Sequence, residues 1–506
     1  MGTREPQALN IQTHLALLLL PLLLLVGCPG PEANDDDDSS DDTGDDDDTA
    51  DDGPGDVTVP DHYEFDSRFA DGSSVSYSGQ VFRQVLITGL KGELSGMTDR
   101  LDTDGWTPAA GEVVSALNFY LEFDGDTSGT LAHGVSTTPA TSQTSFDDIS
   151  SGKDLLGKLA GNDAVGQHKD WSTDFHGWGA TGSTNPEALV RSWFQTVEDQ
   201  ALEWTLGNKP QLPQGEGDAD AVTLTTEGQD LAQLVHKFLS CAVPFSQGAD
   251  DYMDDDEPDK GLLADNTAAV DGKPYTALEH AWDEGFGYFG ASRDYGDYTD
   301  EDIAGSGTGD YGEGYFDTNG DGSIDLTSEY IFGHAVNAGK RDKGASDDAP
   351  TDFTQGAWDG FVTGRAIISS ADGALTDDQM TALKAERDAA IANWEGAVAA
   401  TVVHYINDTL QDMGKFGTDD YSFATHAKHW SEMKGFALCF QFNPRSPLSS
   451  AEFGTLHDYF GIAPALPGSA DVEAYKTSLR SARDLLQTAY EFDAANMGDE
   501  NGEGGW

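Results

Sequence analysis

An apolar run from Leu15 to Val26 ends at Gly27-Cys28, and no second run of membrane length follows it. Arg4 and His14 stand before the run, which is too short to act as a stop-transfer helix, and a small residue precedes the cysteine. Residues 1–27 therefore read as a lipoprotein signal peptide. The expected product carries lipid on Cys28 and works outside the cytoplasm. Pro29 departs from the aspartate signal that holds some lipoproteins at the inner membrane, so the expected anchor is the outer membrane. Everything after Cys28 has to fold in water, on the periplasmic or the outer face.

Residues 28–60 carry four blocks of aspartate (Asp35–Asp38, Asp41–Asp42, Asp45–Asp48 and Asp51–Asp52) separated by Ser, Thr, Ala and Gly. Such a stretch buries nothing and repels itself, which predicts an extended, disordered linker. At full extension the stretch from Pro29 to Gly55 reaches roughly 90 Å, enough to hold a body clear of a lipid surface. Against 91 acidic residues there are 27 basic ones, a net charge of −64. Most of that charge lies beyond the linker. Nucleic acid and anionic membrane surfaces are poor partners for such a field, and the balance suits a salty habitat. Cys241 and Cys439 remain in the body, each in an apolar stretch. They form either one bridge across a long loop or two buried thiols.

Helical periodicity dominates the body. It predicts helices over 80–97, 186–206, 227–247, 276–289, 328–342, 376–413, 422–442 and 472–491. Asn185-Pro186-Glu187 supplies a cap, a proline at the first helical position and an acidic side chain. Thr376-Asp377-Asp378 opens the longest helix, placing carboxylates at the positive end of its dipole. Alternating β-branched residues are nearly absent, the main exception being Asp56-Val57-Thr58-Val59. The expected fold is all-α with long acidic, glycine-rich loops. A weak repeat (Leu234-Val235-His236 then Trp282-Asp283-Glu284, and Val402-Val403-His404 then Trp430-Ser431-Glu432) suggests two helical-bundle halves. These halves span 61–316 and 330–495, with a disordered tail at 496–506.

Asp317-Thr318-Asn319-Gly320-Asp321-Gly322-Ser323-Ile324-Asp325 has oxygen side chains at positions one, three, five, seven and nine, glycine at six and isoleucine at eight. Calcium takes several hard oxygen ligands from one turning loop. Asp317, Asn319, Asp321, Ser323 and Asp325 are the expected ligands, with Glu329 one place beyond the usual glutamate position, which holds Ser328. Lying between the two halves, the loop is expected to clamp them. His280 and Glu284 share a helical face, as do His429 and Glu432. His236 and His404 lie on apolar helices, and these six residues are candidate ligands for iron or another transition metal. No His-Glu-x-x-His, nucleophile elbow, phosphate loop or dinucleotide fingerprint is present, and no catalytic residue is assigned.

The stretches Lys260-Gly261-Leu262, Asp265-Asn266-Thr267, Tyr275 through Gly290, Asp325 through Glu329 and Asn337 through Asp342 resemble an uncharacterised family of bacterial lipoproteins. It is the domain-of-unknown-function family numbered forty-eight fifty-six. Tyr77-Ser78-Gly79-Gln80 and Phe440-Gln441-Phe442-Asn443-Pro444 look like its opening and closing signatures. More distantly the chain is similar to the imelysin group, envelope proteins of paired four-helix bundles linked to iron acquisition and once classed as metallopeptidases. Their motif is Gly-x-His-x-x-Glu. Here Leu278 and Asp283 flank His280 at the corresponding places, and Asn337 follows Gly333-His334. The resemblance implies a helical envelope lipoprotein. The expected function is non-catalytic binding of a metal ion, metal complex or partner protein in nutrient uptake. The alternatives are a metal-dependent hydrolase and a calcium-stabilised scaffold for an outer-membrane transporter.

Overall fold

The computed structural model describes residues 57–125, 129–163, 167–213 and 217–506. The signal peptide, Cys28 and nearly all of the linker lie outside the described residues. Eleven helices of ten residues or more form the framework of what is described. They are α1 (Ser78–Asp102), α2 (Glu112–Leu121), α3 (Pro186–Thr205), α4 (Leu231–Ser240), α5 (Ala277–Phe289), α6 (Gly333–Lys343), α7 (Phe353–Ser370), α8 (Asp377–Gly414), α9 (Phe423–Ala437), α10 (Ser450–Phe460) and α11 (Val472–Tyr490). The fold is all-α. One antiparallel pair of two-residue strands, β1 (Gln211–Leu212) and β2 (Gly217–Asp218), is all the paired sheet among the described residues. Residues 57–59 form no strand.

The helix starts follow local chemistry. Asn185 Oδ1 accepts from the Ala188 N–H at 2.8 Å, with Pro186 at the first helical position. Thr276 with Glu279 and Thr376 with Gln379 form reciprocal capping boxes at α5 and α8. Helix α5 stops at Gly290, whose φ of 95° suits glycine, and a Cβ there would meet the Phe332 carbonyl at 2.6 Å. The helix predicted over 227–247 is regular only to Ser240. It continues as π-helical turns over Cys241–Phe245 and Gly248–Tyr252, with Pro244 inside the first.

Helices from both sides of residues 317–329 pack into one another. Helix α4 lies on α9 and α5 lies on α7, while α8 gathers α6, α7, α9 and α11. Cys241 and Cys439 form a disulfide across the α4–α9 junction, with Cα atoms 4.8 Å apart. The described residues from 57 to 506 thus make one compact unit in which helices from both halves interleave. Residues 496–506, expected to be a disordered tail, are docked instead. Trp506 is buried and its indole N–H donates to the Arg341 carbonyl at 3.0 Å, while Asn407 Nδ2 holds the Trp506 carbonyl at 3.1 Å. A terminal aromatic ring finds apolar cover that the glycine-rich composition around it does not advertise.

The core is largely apolar but contains one fully buried ion network. Arg365 Nε donates to Asp283 Oδ1 at 2.9 Å, Nη1 to Glu279 Oε1 at 3.3 Å and Nη2 to Ser74 Oγ at 2.7 Å. Tyr63 OH and the Ser76 N–H complete the shell of Asp283, each at 2.9 Å. Arg365, Glu279 and Asp283 have no exposed surface. Charges that deep persist only when paired and hydrogen-bonded.

Candidate functional site

The acidic loop folds around its own backbone. The Asp317 carboxylate accepts from the N–H groups of Asp321 (3.1 Å) and Gly322 (2.8 Å), and Asn319 Oδ1 accepts from Asp321 N–H at 2.8 Å. Asp321 Oδ1 accepts from Ser323, and Asp325 Oδ1 from Thr327 and from Gln143 Nε2. Ile324 is buried and exchanges backbone hydrogen bonds with Ala140 and Ser142, at 3.0 and 2.9 Å. The isoleucine therefore pins the loop to the core, though to a segment on its N-terminal side. Glu329 is 1 % exposed. One of its oxygens accepts from Thr318 and Asn319 and the other from Asp325 N–H, so it ties the two ends of the loop together. The donor set is all hard oxygen and suits calcium in type. Among the described residues, Cys241, His334 and Cys439 form the one group of three whose ligand atoms lie within 4.8 Å of one another.

That Cys–His–Cys group is chemically unsuited to a metal. Its sulfurs are joined to each other, and no thiolate is left to coordinate. The Trp394 indole N–H donates to His334 Nδ1 at 2.8 Å. A neutral imidazole that accepts at Nδ1 must carry its proton on Nε2, so no lone pair faces the sulfurs. Burial holds the His334 pKa down at about 3, which keeps the ring neutral.

The six candidate ligands separate into different surroundings. His404, Asp408 and Asp412 recur every four residues on α8 and so form one stripe, against which α9 places His429. His404 Nε2 lies 3.4 Å and His429 Nε2 3.6 Å from the same Asp408 Oδ2. His429 Nδ1 hydrogen-bonds Asp412 Oδ2 at 2.8 Å. Burial, with help from Arg341, lowers the His404 pKa to about 3, so His404 is neutral at pH 7. Burial raises Asp408. Burial also works to raise Asp412, but the hydrogen bonds from His429 and Lys415 outweigh it and hold that carboxyl below its ordinary value. A neutral His429 whose Nδ1–H donates a hydrogen bond to Asp412 presents a lone pair at Nε2. A histidine tied at one nitrogen to a carboxylate, with the other nitrogen directed at a shared oxygen, is the outer-shell pattern of metal-binding imidazoles.

Glu432, expected to join His429, is taken by two ammonium groups, Lys237 Nζ at 3.3 Å and Lys428 Nζ at 3.6 Å. His236 shares neither partner: its Nδ1 is buried without a hydrogen bond, and burial pushes its pKa well below the ordinary value. His280 and Glu284 belong to another place. His280 Nδ1 meets the Ser76 carbonyl at 2.9 Å, its Nε2 lies 3.7 Å from Glu284 Oε1, and Gln80 Nε2 donates to that oxygen at 2.7 Å. Both line a cavity of about 300 Å³ with Asp251, Tyr252, Lys158 and Lys260. Burial raises the Asp251 pKa to about 6. Asp408 and Asp412 were missed in the sequence, although their four-residue spacing from His404 was there to be read.

No curated protein and no solved structure matches this chain. A family does: Domain of unknown function (DUF4856) matches residues 167–455, a span that takes in the acidic loop, most of the His280 cavity and the α8–α9 histidines. More than half of the sequence is covered, and the chain belongs to the Domain of unknown function (DUF4856) family.

Proposed function

We propose that this chain is a non-catalytic, lipid-anchored cell-envelope protein that binds a transition-metal ion during nutrient uptake, iron being the first metal to try. His404, His429 and Asp408 would hold the metal, and Asp412 would orient His429. The observation that carries the reading is the pair of Nε2 atoms facing one oxygen of Asp408 while the far nitrogen of His429 is committed to Asp412. Metal analysis of the purified protein, followed by titration with ferrous and zinc ions, tests it. Saturable binding abolished by His429→Ala and weakened about 10–100-fold by Asp412→Asn is the expected result. Binding that ignores both substitutions would remove the site.

Calcium at Asp317, Asn319, Asp321, Ser323 and Asp325 is the second part of the proposal, supported by the oxygen donor set and by the buried Ile324. One calcium retained through desalting and a lowered melting temperature in chelator are expected; no retained calcium would leave a turn that satisfies itself. Lipid on Cys28 is tested by a mass shift absent from Cys28→Ser, and a transporter partner by cross-linking in the envelope. A hydrolase reading has one observation in its favour: His280, Glu284 and Asp251 face one cavity, with the Asp251 pKa raised by burial to about 6, toward the range a general base needs. Peptide hydrolysis lost in Asp251→Asn and His280→Ala would support it over simple binding.

A further inference from the structure

A second cavity lies where α8, α11 and the loop after α9 meet, remote in composition from either histidine group. It has a volume of about 470 Å³, within the range of small-molecule sites. Its walls are aromatic. Phe353 and Phe492 stand edge to face with centroids 6.2 Å apart, and Tyr490 lies nearly parallel to Phe492 at 5.5 Å. All three rings are only half-buried. Gly396 on α8 makes room for this wall, because a Cβ there would stand 2.8 Å from the Phe353 ring.

The base of the cavity is Glu395, 1 % exposed. It accepts hydrogen bonds from Asn443 Nδ2, Ser446 Oγ and Tyr490 OH, all uncharged donors. Among the described residues no cation lies within ion-pair distance of it; Arg445, in the same lining, acts on it only through its field, against a burial that raises its pKa. A buried carboxyl held by neutral donors gains from a cation brought close to it. Glu491 adds a second carboxylate to the lining, whereas Asp388, also there, is paired with Arg387 Nε at 2.6 Å and lies 3.8 Å from Arg445 Nε. The one cationic side chain there, Arg445, is already committed: Nη1 lies 2.6 Å from Asp254 Oδ1, and Nη2 donates to the Ala249 carbonyl. Glu491 also holds a left-handed backbone, φ 55°, that a non-glycine residue adopts only at a cost.

We propose that this cavity binds a small organic cation, a substituted or quaternary ammonium group, between the Phe353, Tyr490 and Phe492 rings and above the Glu395 carboxylate. Aromatic faces attract a weakly hydrated cation through their quadrupoles. A strongly hydrated metal ion would gain nothing from the rings and would lose its water shell. The carboxylates exclude anions. Apolar surface and negative charge together select an alkylated ammonium over either a neutral apolar solute or a simple inorganic ion.

The probe is choline, with 3,3-dimethylbutan-1-ol as the uncharged compound of the same shape, each titrated into the purified protein by calorimetry at constant ionic strength. Saturable choline binding with a dissociation constant on the order of 1 mM or tighter, and binding of the neutral analogue at least about tenfold weaker, is expected. Glu395→Gln should weaken choline binding by about tenfold or more, the loss of a desolvated ionic contact. If that variant fails to fold, Glu491→Gln at the exposed rim and Gly396→Ala, which pushes the Phe353 ring into the cavity, carry the test. Both should weaken choline without altering metal binding at α8–α9. Absence of saturable choline binding by the parent protein overturns the proposal. So does equal binding of the neutral analogue, or choline affinity indifferent to both Glu491→Gln and Gly396→Ala.

Discussion

Reducing the Cys241–Cys439 bond should cost this protein a large part of its stability. The two residues are 198 apart in sequence, so the bond closes nearly the whole loop between α4 and α9. A loop of that length removes enough conformational freedom from the unfolded chain to stabilise the fold by about 5 kcal/mol at 25 °C. Set against the roughly 5–15 kcal/mol that separates a folded domain from its unfolded ensemble, this is a third or more of the total. Both sulfurs are fully buried, so reduction in place leaves the packing around them nearly unchanged and isolates the loop term. The assay is equilibrium unfolding in guanidinium chloride with and without a thiol-free reductant, followed by tryptophan fluorescence and by far-ultraviolet circular dichroism. The oxidised protein should unfold at clearly higher denaturant. A Cys241→Ala/Cys439→Ala chain should match the reduced one to within about 1–2 kcal/mol, the effect of two small voids. Identical midpoints for oxidised and reduced protein, or two free thiols by mass spectrometry of the native protein, would refute the reasoning.

Replacing Arg365 by Met leaves Asp283 buried without its cation and Glu279 with Arg68 alone, 3.8 Å away, and a loss of about 3–5 kcal/mol should appear in the same unfolding assay. Gly364→Ala gains up to about 1 kcal/mol of helix propensity. Its Cβ, however, would stand 2.0 Å from the buried Trp282 ring, so overpacking of about 1–3 kcal/mol wins and the melting temperature falls. Burial raises the pKa of Asp230, the cap of α4, to about 6 from 3.8, with Glu432 adding to the shift and the Gln233 and Ala232 N–H groups opposing it. The folded state therefore holds this proton more tightly. Its contribution is fully present below about pH 4 and is lost as pH rises through about 6. Asp230→Asn should flatten that segment of the stability–pH curve, and an unchanged curve would assign the titration elsewhere.

The elements that were legible in the sequence are those governed by neighbours in the chain. Asn185-Pro186 and Thr376-Asp377 started helices where they were read, because a cap is a contact between residues two or three apart. The 227–247 helix was read too long because a π-helical turn answers to the groups around it rather than to its own periodicity. Helices α2, α7 and α10 have no counterpart among the helices that periodicity predicts: α2 and α10 span only ten and eleven residues, and three glycines interrupt the pattern of α7. The candidate ligands show the same division. The four-residue spacing of His404, Asp408 and Asp412 was fixed along α8, but it says nothing of which helix lies opposite.

What the sequence alone determined, then, is the all-α class and the helix caps, both of them consequences of spacing along one chain. Tertiary structure decided that His429 meets Asp408 while Glu432 meets Lys237, and that Cys241 reaches Cys439. It also decided that Trp506 docks on Arg341 and that Glu395 sits beneath three aromatic rings. Each of these depends on the register and rotation of one helix against another. That register is set by the fit of many side chains from distant parts of the chain, and periodicity along a single helix carries no information about its partner.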